Sequence, residues 1–289
     1  LTENSIRICY FDIYLYLFKM KKFLAFFIAL LMTCTCSLKA AIVDTIKVGP
    51  QHINTKLLKE GTHRYLVYFK MKKDSVRTQT QFWTRDIKRS MYHGRSVIEI
   101  NQTWEDKDSI MHIVKSISDA KTMQPVYHNT WWKVQNSKKK KKMVSSSSVD
   151  FLNKIVEDNG RQIVETDTAK KYKAIWSAFN SIDNQFHLNW HLDLEIFPVL
   201  PYKENIVFEI PFYEPGSTSN LTKVHYKVSG SAILEGYNDQ QIDCWLLVHE
   251  SPGNKETFWI SKKTREVLKL EQVLNNTFYR FKIKLGFSN

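Results

Sequence analysis

Ser96–Trp104 reads SVIEINQTW and Ser109–Ile117 reads SIMHIVKSI, with only the polar Glu105, Asp106, Lys107 and Asp108 between them. Alternation in the first run sets Val97, Glu99 and Asn101 against Ile98, Ile100 and Gln102. In the second it sets Ile110, His112 and Val114 against Met111, Ile113 and Lys115. A period of two is the strand period, and two such runs joined by a short polar turn predict neighbouring antiparallel strands.

The same pattern extends outward. Before this pair stand Arg64–Met71 (RYLVYFKM) and Val76–Trp83, and after it, past the polar 118–122, comes Gln124–Trp132. Short strands are predicted at Val149–Val156 and Arg161–Glu165. A second meander is predicted at Asn205–Tyr213, Leu221–Ser229, Ser231–Tyr237, Gln241–Glu250, Glu256–Ser261, Glu266–Leu274 and Thr277–Leu285. Between the meanders, Tyr172, Ile175, Trp176, Phe179 and Ile182 recur at three- and four-residue spacing, which predicts one amphipathic helix over 168–182 capped by Asp167. A shorter apolar piece, Leu192–Leu200, ends at Pro201. The fold class expected is mainly β (α+β), a curved antiparallel half-barrel sheet with one covering helix.

Five consecutive lysines, Lys138–Lys142, and the serines Ser145–Ser148 divide the chain near its middle, and 138–148 is expected to be a solvated loop joining halves 41–137 and 149–289. Those halves share a faint repeat. Asp119-Ala120-Lys121-Thr122-Met123-Gln124-Pro125-Val126 aligns with Ser261-Lys262-Lys263-Thr264-Arg265-Glu266-Val267-Leu268, each a polar turn that opens on an Asp or Ser able to bond the backbone ahead, followed by a strand opening apolar.

Met20, Lys21 and Lys22 precede the apolar run Phe23–Met32 and a small-residue stretch ending at Ala40. This is the three-part pattern of a secretory signal over 20–40, with an apolar run too short to span a bilayer. Residues 1–19 are expected to be a mistranslated leader, the alternative being an anchor that extends the apolar run from Tyr10. Cys34 or Cys36 as a lipidated cysteine is a further alternative. The expected location is the periplasm. Three of the four cysteines fall in 1–40, so Cys244 is left without a disulfide partner and is expected in the core. Residues 41–289 hold 37 basic and 27 acidic side chains. That surplus suits anionic lipid head groups or polysaccharide; nucleic acid is the weakest candidate in an exported protein, and no nucleic-acid partner is expected.

An exported chain of long antiparallel strands with one covering helix, and the segment Thr257-Phe258-Trp259-Ile260-Ser261-Lys262-Lys263-Thr264-Arg265-Glu266-Val267-Leu268-Lys269-Leu270-Glu271, resembles the periplasmic lipoprotein-carrier (LolA/LolB-like) superfamily and its uncharacterised exported relatives. Leu192–Tyr213 and Val224–Glu235 look like the same relatives. The resemblance implies a curved, incompletely closed sheet whose cavity takes acyl chains or another apolar ligand. It assigns no residue of this chain a known role.

No motif for catalysis stands out. His187 and His191 are four apart, but Leu188 occupies the place where a zinc-peptidase helix carries its glutamate. The carboxylate pairs Asp193/Glu195 and Glu105/Asp106 have spacing that shows no facing arrangement. No cofactor, metal or enzyme activity is expected. The preferred function is binding or carrying an apolar, lipid-like ligand as a monomer, with Trp176, Phe179, Trp245 and Trp259 lining the cavity. An envelope assembly factor binding protein partners through strand edges, and a hydrolase of envelope polymers, stand as alternatives.

Overall fold

The computed structural model of the chain describes residues 44–107, 109–136, 141–236 and 239–286. The expected signal and leader, with Cys9, Cys34 and Cys36, lie outside the described residues.

The first meander comprises β2 (Gly61–Lys70), β3 (Gln79–Tyr92), β4 (Arg95–Asp106), β5 (Ser109–Asp119), β6 (Pro125–Asn136) and β7 (Lys141–Asp150), followed by the short β8 (Ile155–Asp158) and β9 (Arg161–Ile163). The second comprises β11 (Ile206–Tyr213), β12 (Thr222–Glu235), β13 (Gln241–Ser251), β14 (Asn254–Ser261), β15 (Val267–Leu274) and β16 (Phe278–Leu285). Antiparallel pairing of β16 with β2 joins the two into one open, curved sheet running from β11 through β16, then from β2 to β9. β1 (Asp44–Lys47) and β10 (Leu188–Asn189) add parallel pairs on β11.

The chain crosses from β9 back to β11 on the concave side. Helix α1 (Lys170–Asn180) packs Ile175, Ala178 and Phe179 on Val149, Val156 and Ile163 at the β7–β9 end. The rest of the hollow is filled by short helical turns, Trp190–Leu192, α2 (Asp193–Ile196) and Phe197–Val199, whose Leu192, Leu194, Ile196, Phe197, Val199 and Leu200 join the main core. Phe197 alone meets Tyr226, Phe258 and Phe212 at centroid distances of 4.8, 4.6 and 6.4 Å. Burial of this segment removes a large apolar area from water.

The repeat seen in sequence is a repeat of geometry. Asp119 Oδ1 accepts from the Lys121 and Thr122 amides, both at 2.9 Å, and Ser261 Oγ accepts from the Thr264 amide at 3.1 Å. Met123 donates to Asp119 O and Arg265 donates to Ser261 O. The left-handed residue closing each turn is the same one, Met123 with φ 61° and Arg265 with φ 65°. Both turns join the fourth and fifth strands of their six-stranded meanders.

Several element assignments are corrected. The loop expected over 138–148 is strand from Lys141 onward. Serines Ser145–Ser148 pair with Trp132–Asn129 on β6, and Ser147 and Ser148 also pair with β8. Hydroxyls such as Ser147, bonded to Thr130 Oγ1 at 2.9 Å, substitute for apolar packing there. The single strand expected at 149–156 is broken by a turn because Asp150 Oδ1 accepts from the Leu152 and Asn153 amides. Strands 221–229 and 231–237 are one strand, β12, with a register shift around Gly230, whose φ of 117° suits a bulge. Asp167 does not cap α1. It accepts from the Val164 amide and pairs with Arg161, leaving Ala169 at the helix start.

Candidate functional site

The duplicated turns border hollows of different size. In the second meander the turn closes on the crossing segment. The Arg265 guanidinium donates to Pro198 O and Leu200 O, leaving about 20 Å³ on the side of Tyr65 and Glu195 and about 260 Å³ on the side of His52 and Tyr202. In the first meander the corresponding turn borders an open cavity of about 490 Å³ at the C-terminal end of α1. Val126, Phe151, Leu152, Phe179 and Ile182 form its apolar wall, and Arg95, Lys121 and Lys154 stand at its rim with Asp119 and Asp183. This volume falls in the range of small-molecule sites, roughly 300–1,000 Å³.

Local sequence builds each wall. The β3–β4 hairpin turns through His93 and Gly94, with φ 47° and 75°, and this two-residue reversal presents Arg95. Asp119 spends its side chain on its own turn, and those donors hold its carboxyl below the ordinary range even though burial opposes this. Asp183 is held by Lys154 at 2.9 Å. Arg95 enters no ion pair among the described residues, so the rim keeps an exposed cation above an apolar wall. At the base, His187 donates from Nδ1 to Gln185 O at 2.9 Å, and its ring sits 5.6 Å from Phe151. Burial lowers its proton affinity, so the ring is neutral.

Behind this cavity the concave face is polar where the sequence suggests a core. Trp83, Trp104, His112 and Trp132 are direct cross-strand partners on β3–β6. Trp83 stacks on Trp104 at 3.6 Å, and His112 stacks on Trp132 at 3.4 Å. His112 Nδ1–H donates to Trp131 O at 2.8 Å. His128 accepts at Nδ1 from Asn189 Nδ2 at 2.9 Å, with Ser116 Oγ equally close. His191 covers both histidines, at ring centroid distances of 5.9 Å from His112 and 4.8 Å from His128. Burial depresses all three, His112 to about 3, His191 to about 4 and His128 well below its usual value; neighbouring histidines add to this at His112 and His128, and Arg85 at His112 and His191.

Under the crossing segment lies an ionic group. Arg85, about 1% exposed, binds Glu195 at 2.5 Å and Asp193 at 3.5 Å, while Lys282 binds Asp193 at 3.2 Å. The two carboxylates keep Arg85 charged, and burial lowers Lys282 to about 8. Asp193 and Glu195 are thus neutralised by cations from β3 and β16 instead of facing one another across a cleft.

The four aromatics expected at one cavity are dispersed. Phe179 lines the cavity, and Trp176 is 6.1 Å from it on the same helix, packed in the α1 core. Trp245 packs on the main core beside Tyr202, with Lys262 4.4 Å above its ring. Trp259 pairs in register with Leu246 and Lys269 on the convex face, where its Nε1 donates to Glu271. His187 and His191 do not share a helix face. The extended pair Leu188–Asn189 lies between them, sending His187 to Phe151 and His191 to His128. Among the described residues no group of three or more His, Cys, Asp or Glu is arranged to hold a metal ion. Cys244 is buried, and burial pushes its thiol up to about 11.

Sequence reasoning missed Arg85, His128 and Lys282. The signal was present in phase: Trp83, Arg85 and Ile87 alternate on one face, as do Arg280, Lys282 and Lys284.

Residues 64–283 match the family described as protein of unknown function (DUF3108). The chain belongs to that family. The matched stretch begins within β2 and ends within β16, so the DUF3108 unit holds both meanders and the segment that crosses between them. No curated protein matches the chain.

Proposed function

We propose that this DUF3108 protein is an exported, non-catalytic binding or carrier protein for an amphiphilic, lipid-like ligand of the cell envelope. The observation that carries this reading is the difference between its two duplicated turns. At one, Arg265 is tied to the protein's own crossing segment, and the hollows beside it hold about 20 and 260 Å³. The other opens on about 490 Å³ walled by Phe151, Leu152, Phe179 and Ile182. An acyl or other apolar chain would lie on that wall with an anionic head at Arg95, Lys121 and Lys154. The signal-like 20–40 and the resemblance to the periplasmic lipoprotein carriers support an envelope location and this ligand class. Phe179 is the lining residue this reading keeps, with Trp176 packed beside it in the α1 core.

Partner binding through strand edges has less support, because the edge strands β1 and β9 are only four and three residues long. A hydrolase reading loses Asp193 and Glu195 to Arg85 and Lys282.

Native mass spectrometry of the chain purified from its own host tests the proposal, together with uptake of a fluorescent fatty acid. A co-purifying lipid and saturable uptake, both lost in Leu152→Trp with the melting temperature retained, are the expected results. A bare protein that takes up no probe contradicts the proposal.

A further inference from the structure

The convex face carries an apolar band that the sheet's register assembles from β14, β16, β2 and β3. Trp259, Lys269, Ile283, Leu66 and Phe82 are successive cross-strand partners on β14, β15, β16, β2 and β3. One step along the strands, Phe281 pairs with Tyr68, and their rings stack at 4.9 Å. The full second row is Thr257, Glu271, Phe281, Tyr68 and Thr80, so the apolar surface is Trp259, Ile283, Leu66 and Phe82 with the Phe281–Tyr68 pair beside them.

Strand β16 shows that the band is not incidental. Its sequence FYRFKIKL puts Arg280, Lys282 and Lys284 on the concave side and Phe281, Ile283 and Leu285 on the convex side. Lys282 and Lys284 are about 4% and 5% exposed and need Asp193 and Glu266 as counterions. A strand serving only the core would be turned the other way, with its apolar residues inward. The helical segments pack on the opposite face, against the main and α1 cores.

Three cations stand over three of the band's rings: Arg64 4.9 Å from Phe82, Lys70 6.0 Å from Phe281 and Lys269 5.2 Å from Trp259. Two of them are tethered by carboxylates, Arg64 to Glu105 at 3.4 Å and Lys269 to Glu271 at 2.7 Å. Long basic side chains lying on aromatic rings can swing away to a phosphate and leave the rings free to enter the headgroup layer. A second copy of the chain would instead set these cations against their own images.

We infer that this convex band docks the protein on an anionic phospholipid surface, with Trp259, Ile283, Leu66 and Phe82 entering the headgroup layer and Arg64, Lys70 and Lys269 meeting lipid phosphates. The surplus of basic side chains in residues 41–289, 37 against 27 acidic, draws the protein toward such a surface.

The test uses the full chain and vesicles of phosphatidylcholine with or without phosphatidylglycerol, one set carrying bromine on the acyl chains near the headgroups. The expected result has three parts. Phosphatidylglycerol strengthens co-sedimentation. Phe82→Gln with Phe281→Gln weakens it about tenfold, from the apolar area removed. Bromine quenching of tryptophan fluorescence falls in Trp259→Phe. Val144→Gln, an exposed apolar site away from the band, serves as the control for folding and general stickiness and should bind as the parent does. Equal binding to both vesicle types, quenching unchanged in Trp259→Phe, or self-association of the chain through this face would each overturn the inference.

Discussion

Acidification to pH 5 should loosen the crossing segment through His112, His128 and His191. The three are neutral in the fold because burial penalises the imidazolium, with His112 held at about 3 and His191 at about 4. In the unfolded chain each titrates near 6.5. Their folded proton affinity is depressed, so their stabilising contribution is complete above about pH 6.5 and is lost as pH falls toward 4. Moving from pH 7 to pH 5 costs about 2 kcal/mol per histidine, or about 6 kcal/mol for the three, against a typical total stability of about 5–15 kcal/mol. The charged groups facing them act in both directions, with Glu214 3.9 Å from His191. Arg85 opposes protonation of His112 and His191, while Asp193 acts the other way on His191. Urea denaturation followed by tryptophan fluorescence, repeated between pH 7 and pH 5, measures the effect. The free energy of unfolding should fall by about 4 kcal/mol per pH unit near pH 5.5. His128→Gln should lower that slope by about one proton while costing stability at pH 7. A slope of less than one proton in the parent protein would refute the assignment of these rings as buried and neutral.

Other outcomes follow from the same geometry. Arg85→Met leaves Glu195 and Asp193 buried beside only Lys282, and should destabilise by about 3–5 kcal/mol in urea denaturation, with Glu195→Gln milder. Asp119→Ala removes an acceptor for two amides at the cavity rim. It should cost about 1–2 kcal/mol and weaken ligand uptake, whereas the matching Ser261→Ala should cost about as much and leave uptake intact. Cys244, buried with its thiol pushed up to about 11, should react with a thiol reagent only after denaturation; rapid labelling of the native protein would contradict its placement.

Strand periodicity made most of the sheet legible, and it faltered where polar residues occupy inward positions. Ser96–Trp104 and Ser109–Ile117 alternate cleanly and lie within β4 and β5. The second half of β3, Thr84–Tyr92, was missed because Arg85 fills an inward position, and nothing local announces the Glu195 that neutralises it 110 residues later. β7 has no strand signature because its four serines and adjacent lysines carry no apolar face; cross-strand pairing on both sides supplies what composition lacks. The duplicated turn was readable because Asp119 and Ser261 bond only to their own neighbours. The cavity beside one turn was not, since its openness depends on where the crossing segment lies. Tryptophan content drew attention to Trp245 and Trp259. Their position in the register relative to Phe258 and Ile260 sets Trp259 on the outer face and Trp245 on the core.

Photolabelling with a diazirine-bearing fatty acid, followed by peptide mapping, probes the open hollow most directly. Saturable adducts should fall on the peptides carrying Phe151–Leu152 and Phe179–Ile182, be competed away by unlabelled fatty acid, and be absent from the turn around Arg265. Adducts that fail to saturate, or that fall on both turns alike, would contradict a ligand site at the first turn.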